Sequence, residues 1–137
     1  MSKVSVLIAV YNTEKYLAEC LDSVCSQTLQ DIQIICIDDC STDSSPEILQ
    51  RYAAEDSRLH IIRMPENSGQ AVARNKGLQI ADGEYIMMLD SDDWLAPDAI
   101  ERAYESITST DDIDCALFDL YYYYQENQQT ERYQIRA

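Results

Sequence analysis

Residues 85–94 read "YIMMLDSDDW": five largely apolar residues, then Asp90, Ser91, Asp92 and Asp93, then the only tryptophan of the chain. An apolar run of this length reads as a buried strand. Three carboxylates within four positions at its end repel one another unless each turns into water or a cation lies between them. The stretches upstream decide which. "VSVLIAV" (4–10) and "IQIICID" (32–38) are also nearly continuous apolar runs, of the kind that forms strands buried on both faces. "LHIIRM" (59–64) makes a third strand, and "GEYIMMLD" (83–90) makes the fourth.

Between these runs the apolar spacing changes to that of helices. Tyr16, Leu17, Cys20, Leu21, Val24 and Cys25 recur at helical intervals, with Asn12 or Thr13 placed to cap the start. Ser45-Pro46-Glu47 supplies a hydroxyl cap, a first-turn proline and an acid at the positive end of the next helix, which carries Ile48, Leu49, Tyr52 and Ala53 on one side. "PENSG" turns the chain into a helix over 70–81, and "PDAIERAYESI" gives a fourth over 97–107. A fifth strand is expected from near Ile113 in "IDCALFDLYYYY", with two of its four consecutive tyrosines facing the core; "QENQQTER" reads as a polar tail. The order β-α-β-α-β-α-β-α-β predicts an α/β fold, a mainly parallel sheet with helices on both faces joined by right-handed crossovers.

Bulk composition narrows the function. At 137 residues the chain is expected to form one domain, 1–137. A net charge of −15, from 10 Lys+Arg against 25 Asp+Glu, argues against a nucleic-acid binder, which needs a basic face. The charge is either a solvated acidic surface or, in part, a metal site. Five cysteines, with no C-x-x-C pair, fit reduced thiols and a cytosolic compartment. No stretch is long enough for a membrane span, and the N-terminal apolar run lacks the cleavage site of a signal peptide.

Open α/β sheets bind ligands beyond the carboxyl ends of their strands. The residues leaving those ends are Tyr11 and Asn12, then Asp38, Asp39 and Ser41, then Glu66 to Gly69, then Asp90 to Asp93: a polar, acidic rim. "VYNTEKY" after the first strand contains no glycine, which excludes a dinucleotide fingerprint, and no phosphate loop is present. A nucleoside diphosphate at this rim would need its charge neutralised by a divalent cation, and hard cations take carboxylate and phosphate oxygens. An isolated Asp-x-Asp pair is more often a turn than a metal site; its place at a strand end, facing a second acidic pair, favours the metal, held by Asp92 with Asp90 nearby. Asp38 either joins this rim or caps the next turn. Arg74, on a helix starting at the same rim, is either a plain surface charge or the cation an acid cluster needs. His60 reads as structural, and Trp94 as a packing anchor below the acidic loop or a substrate platform.

The segments "VSVLIAVYNTEKYLAECLDSVCSQT", "IICIDDCSTDSS", "NSGQAVARNKGLQIADGEYIMMLDSDDW" and "PDAIE" together resemble the N-terminal half of family 2 inverting glycosyltransferases of the GT-A fold, over nearly the whole chain up to about residue 120. The resemblance implies that Ala9 and Tyr11 line a nucleobase pocket, that Asp39 accepts a hydrogen bond from uracil or its equivalent, and that Asn67 and Gly69 border the base. Arg74 would orient the acids or reach the nucleotide. Asp90 and Ser91 would sit by the ribose, and Asp92, with Asp90, would bind Mn²⁺ or Mg²⁺ between the phosphates. The implied donor is a nucleoside-diphosphate sugar, foremost a UDP-sugar. The implied acceptor is a saccharide or lipid-linked saccharide in bacterial surface polysaccharide synthesis, at the cytoplasmic face of the inner membrane.

In that family the general base comes from the C-terminal half, and no residue here matches it; Asp111, Asp112, Asp114 and Asp119 are acidic but unplaced. The chain is therefore expected to be a donor-binding part, inactive alone, and to self-associate through an uncovered sheet edge. Two other readings stand beside it. One is a non-catalytic nucleotide- or metal-binding domain. The other is a phosphatase of the haloacid dehalogenase type, in which Asp90 would be the nucleophile, although that motif belongs on the first strand and not the fourth.

Overall fold

The computed structural model describes residues 1–109, 113–117 and 119–134. The chain divides into two compact units, Met1–Glu101 and Arg102–Ala137.

In the first unit four strands, β1 (Val4–Val10), β2 (Ile32–Asp38), β3 (Leu59–Arg63) and β4 (Tyr85–Asp90), form a parallel sheet in the order β3-β2-β1-β4. The helices α1 (Glu14–Cys25), α2 (Ser45–Glu55) and α3 (Gln70–Leu78) connect them, and α4 (Ala99–Thr108) begins at the end of this unit. β1 and β2 occupy the centre, which is why they read as nearly continuous apolar runs: every residue of β1 is buried, and all of β2 except Gln33. On one face Leu7, Ala9, Ile35 and Ile37 pack with Ala73 of α3. The buried residues of α1 are Leu17, Cys20, Leu21 and Val24, the stripe its periodicity predicts.

Two buried polar residues are fully accounted for. Ser5, inside β1, donates its hydroxyl to Gln33 Oε1 (2.7 Å) and accepts from the Gly83 amide (2.8 Å), so the turn before β4 is pinned to the sheet. Gln27 is wholly buried; its amide nitrogen donates to the carbonyls of Ser23 (2.9 Å) and Ala96 (2.7 Å), and its oxygen accepts from Ile100 N (3.0 Å). Leu95 N adds a bond to Ser23 Oγ (3.1 Å). The segment that follows the acidic run is thereby anchored on the last turn of α1 and the residues just after it, by side chains whose polar groups are all paired.

The outer strands depart from the expectation of a sheet covered on both faces. β4 alternates: Met87 and Leu89 are buried, while Ile86 and Met88 are 42% and 50% exposed. β4 is an edge strand, and the helix on that side, α3, lies over β1 and β2. β3, the other edge, is open as well, and His60 lies exposed on it. Trp94 is 44% exposed, so it is not a buried anchor.

Among the described residues the predicted fifth parallel strand is not formed. Residues Ile113–Leu117 carry no strand; β5 is Leu120–Tyr124, and it pairs antiparallel with β6 (Gln129–Tyr133), which the sequence presents as a polar tail. The reversal runs through Gln128, at φ 55°. All four tyrosines of β5 are exposed, none facing a core. Tyrosine satisfies a strand pattern with either a buried ring or a solvated hydroxyl, so the run could not reveal its surroundings. Asp119 pairs with Arg132 within this hairpin, Asp114 is exposed, and Asp111 and Asp112 lie outside the described residues.

Candidate functional site

The chain runs outward from β1 through β2 to β3, then returns to place β4 on the other side of β1. The strand order therefore reverses between β1 and β4, and a crevice opens beyond their carboxyl ends, where such sheets bind ligands. A cavity of about 350 Å³ lies there. Ala9 lines it from β1, Tyr11 from just past the end of β1, Asp39 from just past the end of β2, and Asn67 and Gly69 from the turn before α3. Asp90, Ser91 and Asp92 close it from β4, and Ala9 and Asp90 face each other in register. Eight of the nine residues singled out by sequence thus meet in one cavity. The ninth, Arg74, stands behind it and donates to Asp90 Oδ1 at 2.5 Å. Sequence reasoning missed Val10, Thr13 and Gln70, which also line it.

The acidic run forms a tight turn, in which Asp93 N donates to the Asp90 carbonyl (3.0 Å). One carboxylate oxygen from each of Asp90, Asp92 and Asp93 lies within 4.8 Å of the others, and all three residues are exposed. An all-oxygen set of this charge suits a hard divalent cation. Asp93 joins Asp92 and Asp90 as a potential ligand; its place in the run was visible, its convergence on the other two was not. Partial burial, then the charges of Asp92 and Asp90, push the Asp93 carboxyl above the ordinary aspartate range. Beneath the turn, Cys20 Sγ donates to the Asp90 carbonyl (3.6 Å). Burial first and the three acids second push this thiol up to about 12, so it stays protonated and is neither nucleophile nor thiolate ligand near neutral pH.

The two acids that end β2 have different tasks. Asp38 is buried; its Oδ1 accepts from Ser41 N (3.0 Å), and Arg63 Nε lies 3.6 Å from Oδ2. It caps the turn and does not line the cavity. Asp39 is also buried, yet reaches the cavity, and its two oxygens accept from Ser68 N (2.8 Å) and Gly69 N (2.7 Å). Gly69 caps α3 at φ 87°, a conformation that glycine adopts without steric cost. Asp39 therefore holds the loop that leads into α3 and sits as an anion at the N-terminal end of that helix. Each of its oxygens accepts one of these bonds and has a further lone pair available.

The rim below Tyr11 is built by a lock between two loops. Asn12, at φ 50°, accepts with Oδ1 from Thr42 N (2.8 Å), Thr42 Oγ1 (3.3 Å) and Asp43 N (3.3 Å). In return, Asn12 N and Thr13 N donate to the hydroxyls of Ser41 and Ser45 (both 3.1 Å). Glu14 Oε2 accepts from Ser44 N (2.8 Å), while Glu14 N donates to Asp43 Oδ2 (3.0 Å). Ser45, expected as the hydroxyl cap of α2, accepts from Thr13 N instead, and neither Thr13 nor Ser44, the capping residues found, caps its helix through its side chain; the Thr13 hydroxyl is buried without a hydrogen-bond partner among the described residues.

The family model for Glycosyl transferase family 2 matches residues 5–136. The chain belongs to that family. Among curated relatives, the glycosyltransferase GlyG of Streptococcus pneumoniae is 41% identical over 108 residues, 79% of this chain and 36% of GlyG. Among solved structures, S. aureus TarS in complex with UDP-GlcNAc superposes with a TM-score of 0.74 at 33% identity, covering 78% of this chain and 31% of that one. The mannosyltransferase PcManGT from Pyrobaculum calidifontis, in complex with GDP-Man and Mn²⁺, gives 0.72 at 28% identity, over 78% and 32%. The chain spans about a third of the length of each of these proteins. Family membership removes the phosphatase reading of Asp90 and bears out the GT-A fold class. No helix among the described residues is long and apolar enough to cross a membrane.

Proposed function

We propose that residues 1–137 form the donor-binding domain of an inverting glycosyltransferase, taking a nucleoside-diphosphate sugar, foremost a UDP-sugar, together with Mn²⁺ or Mg²⁺. The observation that carries this reading is the convergence of Tyr11, Asp39, Asn67 and Gly69 with the acids Asp90, Asp92 and Asp93 in one cavity at the switch point of the sheet. The ring of Tyr11, 45% exposed at the cavity, packs on the base, and Asp39 accepts from its ring N–H while holding the Ser68–Gly69 amides. Ala9 and Asn67 bound the base, Ser91 and Asp90 meet the ribose, and Asp92, with Asp90, holds the cation.

The bound cation would supply electrostatic stabilisation for the diphosphate as it departs. In the transfer itself, the acceptor hydroxyl oxygen forms a bond to the anomeric carbon as the bond from that carbon to the phosphate oxygen breaks. The nucleoside diphosphate leaves with the electron pair, and the hydroxyl proton passes to a general base. We assign that base to no residue of this chain. A saccharide or lipid-linked acceptor and a role in bacterial surface polysaccharide synthesis are what the resemblance implies, and we carry them as part of this reading. The presence of both UDP-GlcNAc and GDP-Man among the ligands of similar structures makes the nucleobase the first point to test.

Calorimetric titration of UDP and, separately, GDP into this chain tests the reading, with Mn²⁺ and then with EDTA. UDP binding that needs Mn²⁺ and is lost in Asp92→Ala is the expected outcome. No binding of either nucleotide with Mn²⁺ present would overturn it.

A further inference from the structure

We infer that Gln70, the first residue of α3, is a positioning residue for the metal-binding carboxylate Asp90. The inference rests on the metal reading above and extends it to a side chain with no part in the nine-residue motif set.

Two donors reach Asp90 from α3, one turn apart: Gln70 Nε2 at 3.0 Å and Arg74 Nη2 at 2.5 Å. Positions i and i+4 stand on the same face of a helix, so one helix presents both. Both donors converge on Oδ1, and among the described residues Oδ2 accepts no hydrogen bond. This division of labour matters because Asp90 ends an exposed strand edge, with its side chain 48% accessible. Left alone, an aspartate there would sample several rotamers and would turn away from Asp92 and Asp93, whose charges repel it. With Oδ1 held by an amide and a guanidinium, the carboxylate keeps one orientation, and Oδ2 is left to serve a cation. Partners of this kind, which touch a ligand side chain and not the metal, characteristically govern metal affinity.

Gln70 and Arg74 are not redundant. Arg74 brings charge, and its Nε is buried without a partner, so the guanidinium is committed to this place. Gln70 brings a neutral donor from the cavity side, where it lines the cavity between Gly69 and Asp90. It orients the acid without adding a positive charge that would oppose the cation. The position of Gln70 itself is set by Asp39, which holds the two residues before it. The loop beside the nucleobase pocket and the acid cluster are thus joined through the first turn of α3.

The test measures Mn²⁺ binding alone, by the loss of the free-ion electron paramagnetic resonance signal on titration into the 137-residue chain, without nucleotide. Gln70→Met keeps the length of the side chain and removes the donor; Gln70→Ala removes both. Each variant is expected to bind Mn²⁺ about tenfold more weakly than the native chain, with an unchanged melting temperature, because the residue is exposed on the first turn of a helix. Asp98→Asn, which removes an acid outside the cavity, is expected to leave the affinity unchanged and shows that the acid cluster, not the general acidity of the surface, takes the ion. Mn²⁺ affinity within twofold of native in both Gln70 variants would overturn the inference, as would absence of Mn²⁺ binding by the native chain. Should Mn²⁺ bind and weaken as expected while neither UDP nor GDP binds, the inference stands and the donor reading fails.

Discussion

Replacing Asp39 separates its hold on the loop before α3 from its proposed contact with the nucleobase, which a nucleotide-binding assay alone would merge. Its carboxylate is 3% exposed and accepts two short bonds from backbone amides, Ser68 N at 2.8 Å and Gly69 N at 2.7 Å. Hydrogen bonds to an ionised acceptor contribute about 1.5–3 kcal/mol each. Ser68 is half-buried and Gly69 exposed, so water can replace part of what is lost, and the lower end applies to both. Loss of an anion at the N-terminal end of α3 adds about 0.3–1 kcal/mol. Asp39→Ala is therefore expected to lower the free energy of unfolding by about 3–4 kcal/mol. Asp39→Asn, which keeps one oxygen acceptor, should cost about half as much. Urea unfolding monitored by circular dichroism gives both values. Amide hydrogen exchange supplies the local readout: Ser68 and Gly69 should lose protection in Asp39→Ala while the amides of β1 keep theirs. If the alanine variant unfolds within 0.5 kcal/mol of native and exchanges normally at those two amides, Asp39 holds nothing and serves the ligand alone.

Two further outcomes concern stability elsewhere. Gly83→Ala would place a Cβ 2.3 Å from Ser5 N and 2.8 Å from the Val4 carbonyl carbon, against backbone that cannot yield; a loss of about 3 kcal/mol in urea is expected, and a native-like midpoint would show that the turn before β4 relaxes. Asp56 is held down to about 2, chiefly by hydrogen bonds from Arg58, whose guanidinium also reaches the carbonyls of Cys25 and Gln30. Its folded value lies below its ordinary 3.8, so the unfolded chain binds the proton more readily, and stability rises with pH between the two values. The native chain should exceed Asp56→Asn by about 1–2 kcal/mol at pH 6, and the gap should close as pH falls through about 2; a gap independent of pH would refute the assignment.

The parts of this molecule that were legible in its sequence are those whose cause is local or periodic. β1 and β2 announce themselves because a central parallel strand needs apolar residues at every position. Asp90, Ser91 and Asp92 were legible because a polar run at the end of such a strand must emerge at the ligand rim. Asp39 was found, but not its hold on Ser68 and Gly69, since a bond to a backbone amide leaves no mark on the identity of the residue that donates it. Gln70 was passed over for a related reason: a polar residue opening a helix is unremarked on any surface, and only the fold brings Asp90 within its reach. "IDCALFDLYYYY" misled because an apolar run specifies a strand more firmly than it specifies a partner, and the partner of β5 proved to be the polar segment that follows it.

The lock between residues 12–14 and 41–45 has a consequence for the order of folding. Its bonds join groups 29 to 32 positions apart, and most run between a side chain on one loop and a backbone group on the other. None can form until β1 and β2 lie side by side, since only then do their ends meet. Closing so long a loop costs entropy that is recovered only when the strands pair. Asn12, held in a left-handed conformation that few residues adopt willingly, has no reason to take it before Thr42 and Asp43 arrive. The rim that carries Tyr11 is thus among the last features of the first βαβ unit to be completed. A chain caught before that moment has a hydrophobic sheet but not yet the finished rim on which the proposed nucleobase would rest.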